Sequence, residues 1–150
     1  MAEEQKVEQE FQIQRVFLKD LSFEAPLGAD AFLKQYQPSV NQELATETRK
    51  IDDTHFEVVL KLTITATADD KTVFLVEIQQ AGIFYMTGIH ETNLPRVLNT
   101  VCPQVLFPYA RETIDSVLSK GTYPALMLAP INFDALFAQA QANKDEAAKH

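Results

Sequence analysis

The chain has 150 residues, the size of one domain with an ordinary core, and its 46% hydrophobic and 23% charged residues sit near globular averages. A formal net charge of -8 argues against nucleic acid and against an anionic membrane surface, both of which need clustered Lys and Arg, and favours a basic partner. Cys102 is the single cysteine, which excludes an intramolecular disulfide and reads as a small buried hydrophobe.

Residues 1–10, MAEEQKVEQE, carry Glu3, Glu4, Glu8 and Glu10 with almost nothing to bury, so they are expected to be disordered rather than a signal peptide. From Phe11 to Glu24 the odd positions Phe11, Ile13, Phe17, Leu21 and Phe23 are apolar, and the alternation predicts a long strand. Arg15 and Lys19 interrupt that face, with their stems expected over the core and their charges at an edge or in a subunit contact. Pro26 ends the strand. Residues 25–37 are too long for a hairpin, and Phe32, Leu33 and Tyr36 are too apolar for an idle loop: they anchor it or wall a binding groove.

After Pro38, Val40 and Leu44 alternate with Asn41 and Glu43 in a more polar edge strand that extends toward Arg49. Asp52 and Asp53 mark a turn. Phe56, Val58, Leu60, Leu62, Ile64 and Ala66 then alternate with polar residues in the clearest strand of the chain, and Asp69 and Asp70 make the next tight turn.

The strand from Thr72 to Gly88 has something to bury on both faces. One face carries Phe74, Val76 and Ile78 and reads as core. The other carries Val73, Leu75 and Glu77, as either half-buried sheet or a surface that receives a partner. Gly82 and Gly88 are expected to break the alternation. Leu94, Val97, Leu98 and Val101 fall at helical spacing, Pro103 interrupts, and Phe107, Ala110, Ile114, Val117 and Leu118 resume the stripe up to a stop at Gly121. The prolines extend TYPALMLAPI. Asn132 caps a last helix with the stripe Phe133, Leu136, Phe137 and Ala140, and NKDEAAKH is expected to fray.

The expected fold is therefore α+β: a four-stranded antiparallel sheet, then a long kinked helix and a short C-terminal helix, with the helices on one side of the sheet. Sheet and helices offer more apolar stripe than one such unit hides, which predicts a homo-oligomer, most simply a two-fold one.

Catalytic patterns are sparse. His55, His90 and His150 have no metal spacing, the glycines are too scattered for a phosphate loop, and the paired aspartates sit at turns, so no cofactor or metal is expected. An enzyme reading would require Tyr109 or Asp115, both on the predicted helix. What remains is surface, and surface points to binding.

FQIQR at 11–15, KD at 19–20 followed by SFEAP at 22–26, VEIQQAGIF at 76–84, LFPYARE at 106–112 and LAPINFDALF at 128–137 closely resemble the SecB family of bacterial protein-export chaperones. The resemblance runs from about Phe11 to Phe137 and implies one chaperone domain over 1–150, with 1–10 and about 144–150 disordered. It implies a cytoplasmic homotetramer, a dimer of dimers, that holds unfolded secretory precursors without ATP and delivers them to the SecA motor. Nucleic acid and direct membrane insertion have no part in it.

The residues it implies are specific. Asp20, Glu24, Leu75 and Glu77 would dock the basic, zinc-bound tail of SecA; strand alternation independently puts Leu75 with Glu77, and Asp20 with Glu24, on common faces. Val76, Ile78 and Gln80 would look toward the tetramer interface. Tyr36, Phe74 and Phe137 would line the client groove, although Phe74 and Phe137 also read as ordinary core. Family members tend to have Trp at Tyr36 and Gly at Ala81, which implies a different groove shape and strand bend here. The rival to the chaperone is an acidic adaptor that binds only folded partners through Asp20, Glu24 and Glu77.

Overall fold

A computed structural model describes residues 8–149; most of the acidic lead-in lies outside them. The elements in chain order are β1 (Glu10–Glu24), a 3-10 turn (Gly28–Phe32), β2 (Ser39–Lys50), β3 (His55–Ala68), β4 (Lys71–Thr87), α1 (Leu94–Asn99), α2 (Val101–Lys120) and α3 (Phe133–Ala148). The strands form one antiparallel sheet in the order β1-β4-β3-β2, the α+β architecture that the alternation predicts. That order explains the long connection after Pro26. It carries the chain from one edge of the sheet to the other, three strand spacings or roughly 14 Å away, which no hairpin turn can do.

Even-numbered residues of β3 and β4 meet across the sheet: Phe56 with Phe84, Leu60 with Gln80, Leu62 with Ile78, Ile64 with Val76 and Ala66 with Phe74. All of these are buried. On them, at helical spacing, lie Leu106, Phe107, Ala110, Ile114 and Leu118 of α2, in one core with the sheet. Each large aliphatic so buried contributes about 1.5–3 kcal/mol, which is why α2 forms despite Pro103 and Pro108. Gly82 does not break β4, which runs through it to Thr87. It opposes Val58 on this inner face, and a Cβ there would stand 3.1 Å from Leu106 and 3.0 Å from the Arg15 carbonyl oxygen. The missing side chain is what lets α2 come down onto the sheet.

β1 departs from simple alternation. Its pairing with β4 shifts register between Ile13 and Arg15 and again between Leu18 and Asp20. Each shift inserts one extra residue and exchanges the two faces. The inner face therefore carries Phe11, Ile13, Val16, Leu18, Leu21 and Phe23, while Arg15, Phe17, Asp20, Ser22 and Glu24 point outward. Arg15 thus does not interrupt the apolar face, and Phe17 is not on it. At this edge the cover of α2 runs out: Phe11, Ile13 and Leu18 remain 38%, 49% and 46% exposed.

The turns follow local chemistry. Asp69 and Asp70 both have positive φ (52° and 61°), as a two-residue hairpin loop requires, and Asp tolerates that conformation better than most residues. At the β2–β3 turn, Asp52 Oδ1 accepts from the backbone N–H groups of Thr54 (2.9 Å) and His55 (2.7 Å), with His55 Nδ1 at 2.9 Å. The Thr54 bond, then His55, hold the Asp52 carboxyl at about 2 against an ordinary 3.8. A depressed folded-state value means that the turn is fully supported above about pH 3.8 and loses that support as pH falls through about 2. In a carboxyl NMR titration Asp52 should therefore have its midpoint near 2, with Thr54 and His55 amide protection falling in step; a midpoint at 3.8 would contradict this geometry.

The helix break falls at Thr100, between α1 and α2, and Pro103 occupies the first turn of α2. A proline there cannot donate to the Asn99 carbonyl and its ring crowds that group, so the break precedes it by one turn. Gly121 ends α2 without left-handed geometry (φ -84°); Thr122 takes the positive φ instead. A Cβ on Gly121 would lie 2.7 Å from the Phe23 ring, so close approach explains this glycine better than capping. Asn132 caps α3 as predicted, its side chain accepting from the Ala135 N–H at 2.9 Å. α3 continues to Ala148 where disorder is expected from about residue 144, supported by helix-forming Ala, Lys and Glu and by a Gln139 to Asn143 bond of 3.2 Å.

Candidate binding surfaces

The outer face of the sheet gathers charge from three strands. The β1–β4 register sets Glu24 beside Leu75, Ser22 beside Glu77 and Asp20 beside Gln79, so the four residues expected on one docking face do come together. Glu77 opposes Thr63, which in turn opposes Glu43 of β2. Glu43 joins the patch unpredicted; its odd parity is visible in the sequence, but only the strand order reveals its neighbours. Asp20, Glu24, Glu43 and Glu77 are all exposed, and among the described residues none has an ion-pair partner. Elsewhere on the face the carboxylates are matched: Glu47 with Lys61 at 2.7 Å, and Glu57 with Lys19 and Arg49 at 3.4 and 3.5 Å.

The predicted groove aromatics do not form one cluster. Phe74 is buried on the inner face beneath Tyr123, ring centroids 5.0 Å apart, and Phe32 and Phe23 pack on the same tyrosine at 5.5 and 6.5 Å. It is core, the alternative that alternation already allowed. Tyr36 is half-buried near the end of the crossing connection, with Lys34 Nζ 5.4 Å above its ring and bonded to Asp69 at 3.0 Å. Phe137 is half-buried in an apolar pocket of about 450 Å³ between α3 and β2, lined also by Leu44, Thr46, Phe133, Leu136 and Ala140. Close to Tyr123 the surface stays apolar: Phe32 is 56% exposed, and Leu33 and Met127 more so. Tyr123 escapes sequence reading because its role depends on a non-local crossing.

Asp115 and Arg111 of α2 tie down the segment between α2 and α3. Asp115 Oδ1 accepts from the backbone N–H groups of Leu126 (3.0 Å) and Met127 (3.3 Å), and Arg111 donates to the Leu128 carbonyl at 3.5 Å. Asp115 is thus engaged with backbone, while Tyr109 stands exposed on the far side of α2. Asp115→Ala should cost about 1 kcal/mol and accelerate hydrogen exchange at the Leu126 and Met127 amides. Unchanged exchange there would show that the segment is held by its side chains instead. Val76, Ile78 and Gln80 are all buried beneath α2.

Among the described residues no helix is long and apolar enough to cross a membrane, and no group of three or more His, Cys, Asp or Glu side chains is placed to hold a metal ion. A sheet with one charged, helix-free face and an apolar cleft beside its helices defines a binding platform. Residues 4–144 match the family described as preprotein translocase subunit SecB. Similar relatives include the protein-export protein SecB of Cellvibrio japonicus, 53% identical over 131 residues (87% of this chain, 78% of that protein). That of Saccharophagus degradans is 54% identical over 142 residues (94% and 84%). A similar fold occurs in a solved SecB-like chaperone of Mycobacterium tuberculosis in complex with a ChAD peptide from an antitoxin, with a TM-score of 0.61 and 18% identity over 81% of this chain and 87% of that one. The chain belongs to the SecB family of protein-export chaperones.

Proposed function

We propose that this protein is a cytoplasmic holdase that binds unfolded secretory precursors and passes them to SecA. The observation that carries the reading is the separation of two surfaces: an apolar cleft at the flank of the sheet, and on its outer face carboxylates without an ion-pair partner among the described residues. A holdase needs no chemistry and no ATP. It binds the unfolded chain and not the folded one, and so stabilises the unfolded state by mass action. Several weak apolar subsites in one assembly give avidity without sequence specificity, and the free edge of β2 offers backbone groups to an extended client.

The carboxylates Asp20, Glu24 and Glu77, with Leu75 among them and Glu43 beside them, suit a basic partner segment, here the SecA tail. Assembly as a dimer of dimers would cover the exposed inner-face residues Phe11, Ile13 and Leu18 and leave the outer face free. In that assembly Val76, Ile78 and Gln80 act by seating α2 rather than by touching a second copy. Leu136, 47% exposed at the cleft, tests the client site. Leu136→Asp should weaken binding of an unfolded precursor roughly tenfold, because a carboxylate must then be desolvated in an apolar contact. Unaltered client affinity would remove the α3–β2 cleft from the mechanism.

A further inference from the structure

The outer sheet face is not uniformly acidic. Away from the carboxylates it carries Arg15, opposite Ile83, and Arg49, opposite Glu57, which itself pairs with Ile83; Glu10, opposite Thr87, closes the far end. Lys19, at the second β1 bulge, reaches Glu57 Oε1 at 3.4 Å, and Arg49 Nε approaches the same oxygen at 3.5 Å. One carboxylate between two cations leaves a surplus. Arg15 adds to it, exposed and without an ion-pair partner among the described residues. The bulges create this end, because without the register shifts Arg15 would turn inward.

From Glu77 to Ile83 is six residues along β4, or about 20 Å of extended chain. The face therefore presents a negative pole centred on Glu77 and a positive pole centred on Arg15 and Arg49 at a fixed spacing, with the neighbours Asp20 and Lys19 between them, on a rigid sheet and away from the apolar inner flank. We infer that the positive pole, Arg15, Lys19 and Arg49, docks an acidic stretch of the same protein partner whose basic stretch occupies the carboxylates. The two stretches would lie about six extended residues apart, aligned with the strands. This rests on the docking reading above and adds orientation to it. A single acidic patch attracts any basic segment, whereas two opposed poles admit a bipolar segment in one direction and repel it in the other.

The test compares capped peptides by NMR titration of the full-length protein at low ionic strength. The block peptide Lys-Lys-Lys-Ser-Ser-Ser-Glu-Glu-Glu and an isomer that repeats Lys-Ser-Glu share composition and net charge; Lys-Lys-Lys-Ser-Ser-Ser probes the negative pole alone. The expected result is roughly fivefold tighter binding of the block peptide than of the isomer, since exposed ion pairs are individually weak and only the block peptide reaches both poles at once. In Arg15→Glu with Arg49→Glu that preference should vanish, while the lysine peptide binds at least as well as before. Equal affinities on the unaltered protein, or a preference that survives the charge reversals, would overturn the proposal. If the lysine peptide itself fails to bind the unaltered protein, the docking reading falls and the bipolar one with it.

Discussion

Gly82→Val is expected to destabilise the domain by about 3 kcal/mol or more, enough to remove a large part of the stability of a domain this size. An added Cβ would stand 2.9 Å from the Phe84 ring, 3.1 Å from Leu106 and 3.0 Å from the Arg15 carbonyl oxygen. A side chain can turn away, but the carbonyl belongs to the neighbouring strand and moves only if the sheet moves. The two valine methyls add to the clash, and they lie where α2 meets the sheet, so relief means lifting the helix from Val58 and Phe84. The measurement is the midpoint of urea unfolding followed by circular dichroism. A shift no larger than that of an exposed substitution would mean that α2 does not approach the sheet as described.

The second large effect is on docking. Asp20→Lys together with Glu77→Lys should reduce the affinity for a basic SecA tail peptide by tenfold or more, and leave the binding of unfolded precursor unchanged. Ser22 and Gln79 link the two positions across β1 and β4, so both charges lie on the same face and would meet the same ligand. Each exposed pair is worth about 0.2–1 kcal/mol, and each reversal replaces an attraction by a repulsion, so the pair of changes amounts to on the order of 2 kcal/mol. High salt should weaken the unaltered interaction in the same direction. Loss of precursor binding in this variant would mean that the outer face also holds the client, and that the two surfaces are not separate.

Much of this was readable in the residues and some was not. Period-two alternation over Phe56–Ala66 and Phe74–Ile78 fixes which side of the sheet is core, because one-residue slips would expose every apolar side chain. It also puts Leu75 and Glu77 together on the outer side. Simple parity misassigns β1, although the apolar positions 11, 13, 16, 18, 21 and 23 carry both bulges in their intervals of two and three. Arg15 and Lys19 obscure them by falling where simple alternation expects apolar residues. Glu43, Tyr123 and the pairing of Asp115 with the Leu126 and Met127 amides depend on strand order and on segments far apart in sequence, which no local pattern encodes. Gly82 and Gly121 look like punctuation and are instead contact points for Leu106 and Phe23.

A holdase must bind chains in their unfolded form. That requirement is tested most directly by presenting one secretory precursor twice, freshly diluted from denaturant and fully folded, and reading the complex mass by light scattering. The expected result is a complex only with the unfolded form, on a particle of about four chains. Equal binding of the folded form would contradict it and make the acidic-adaptor reading the better one.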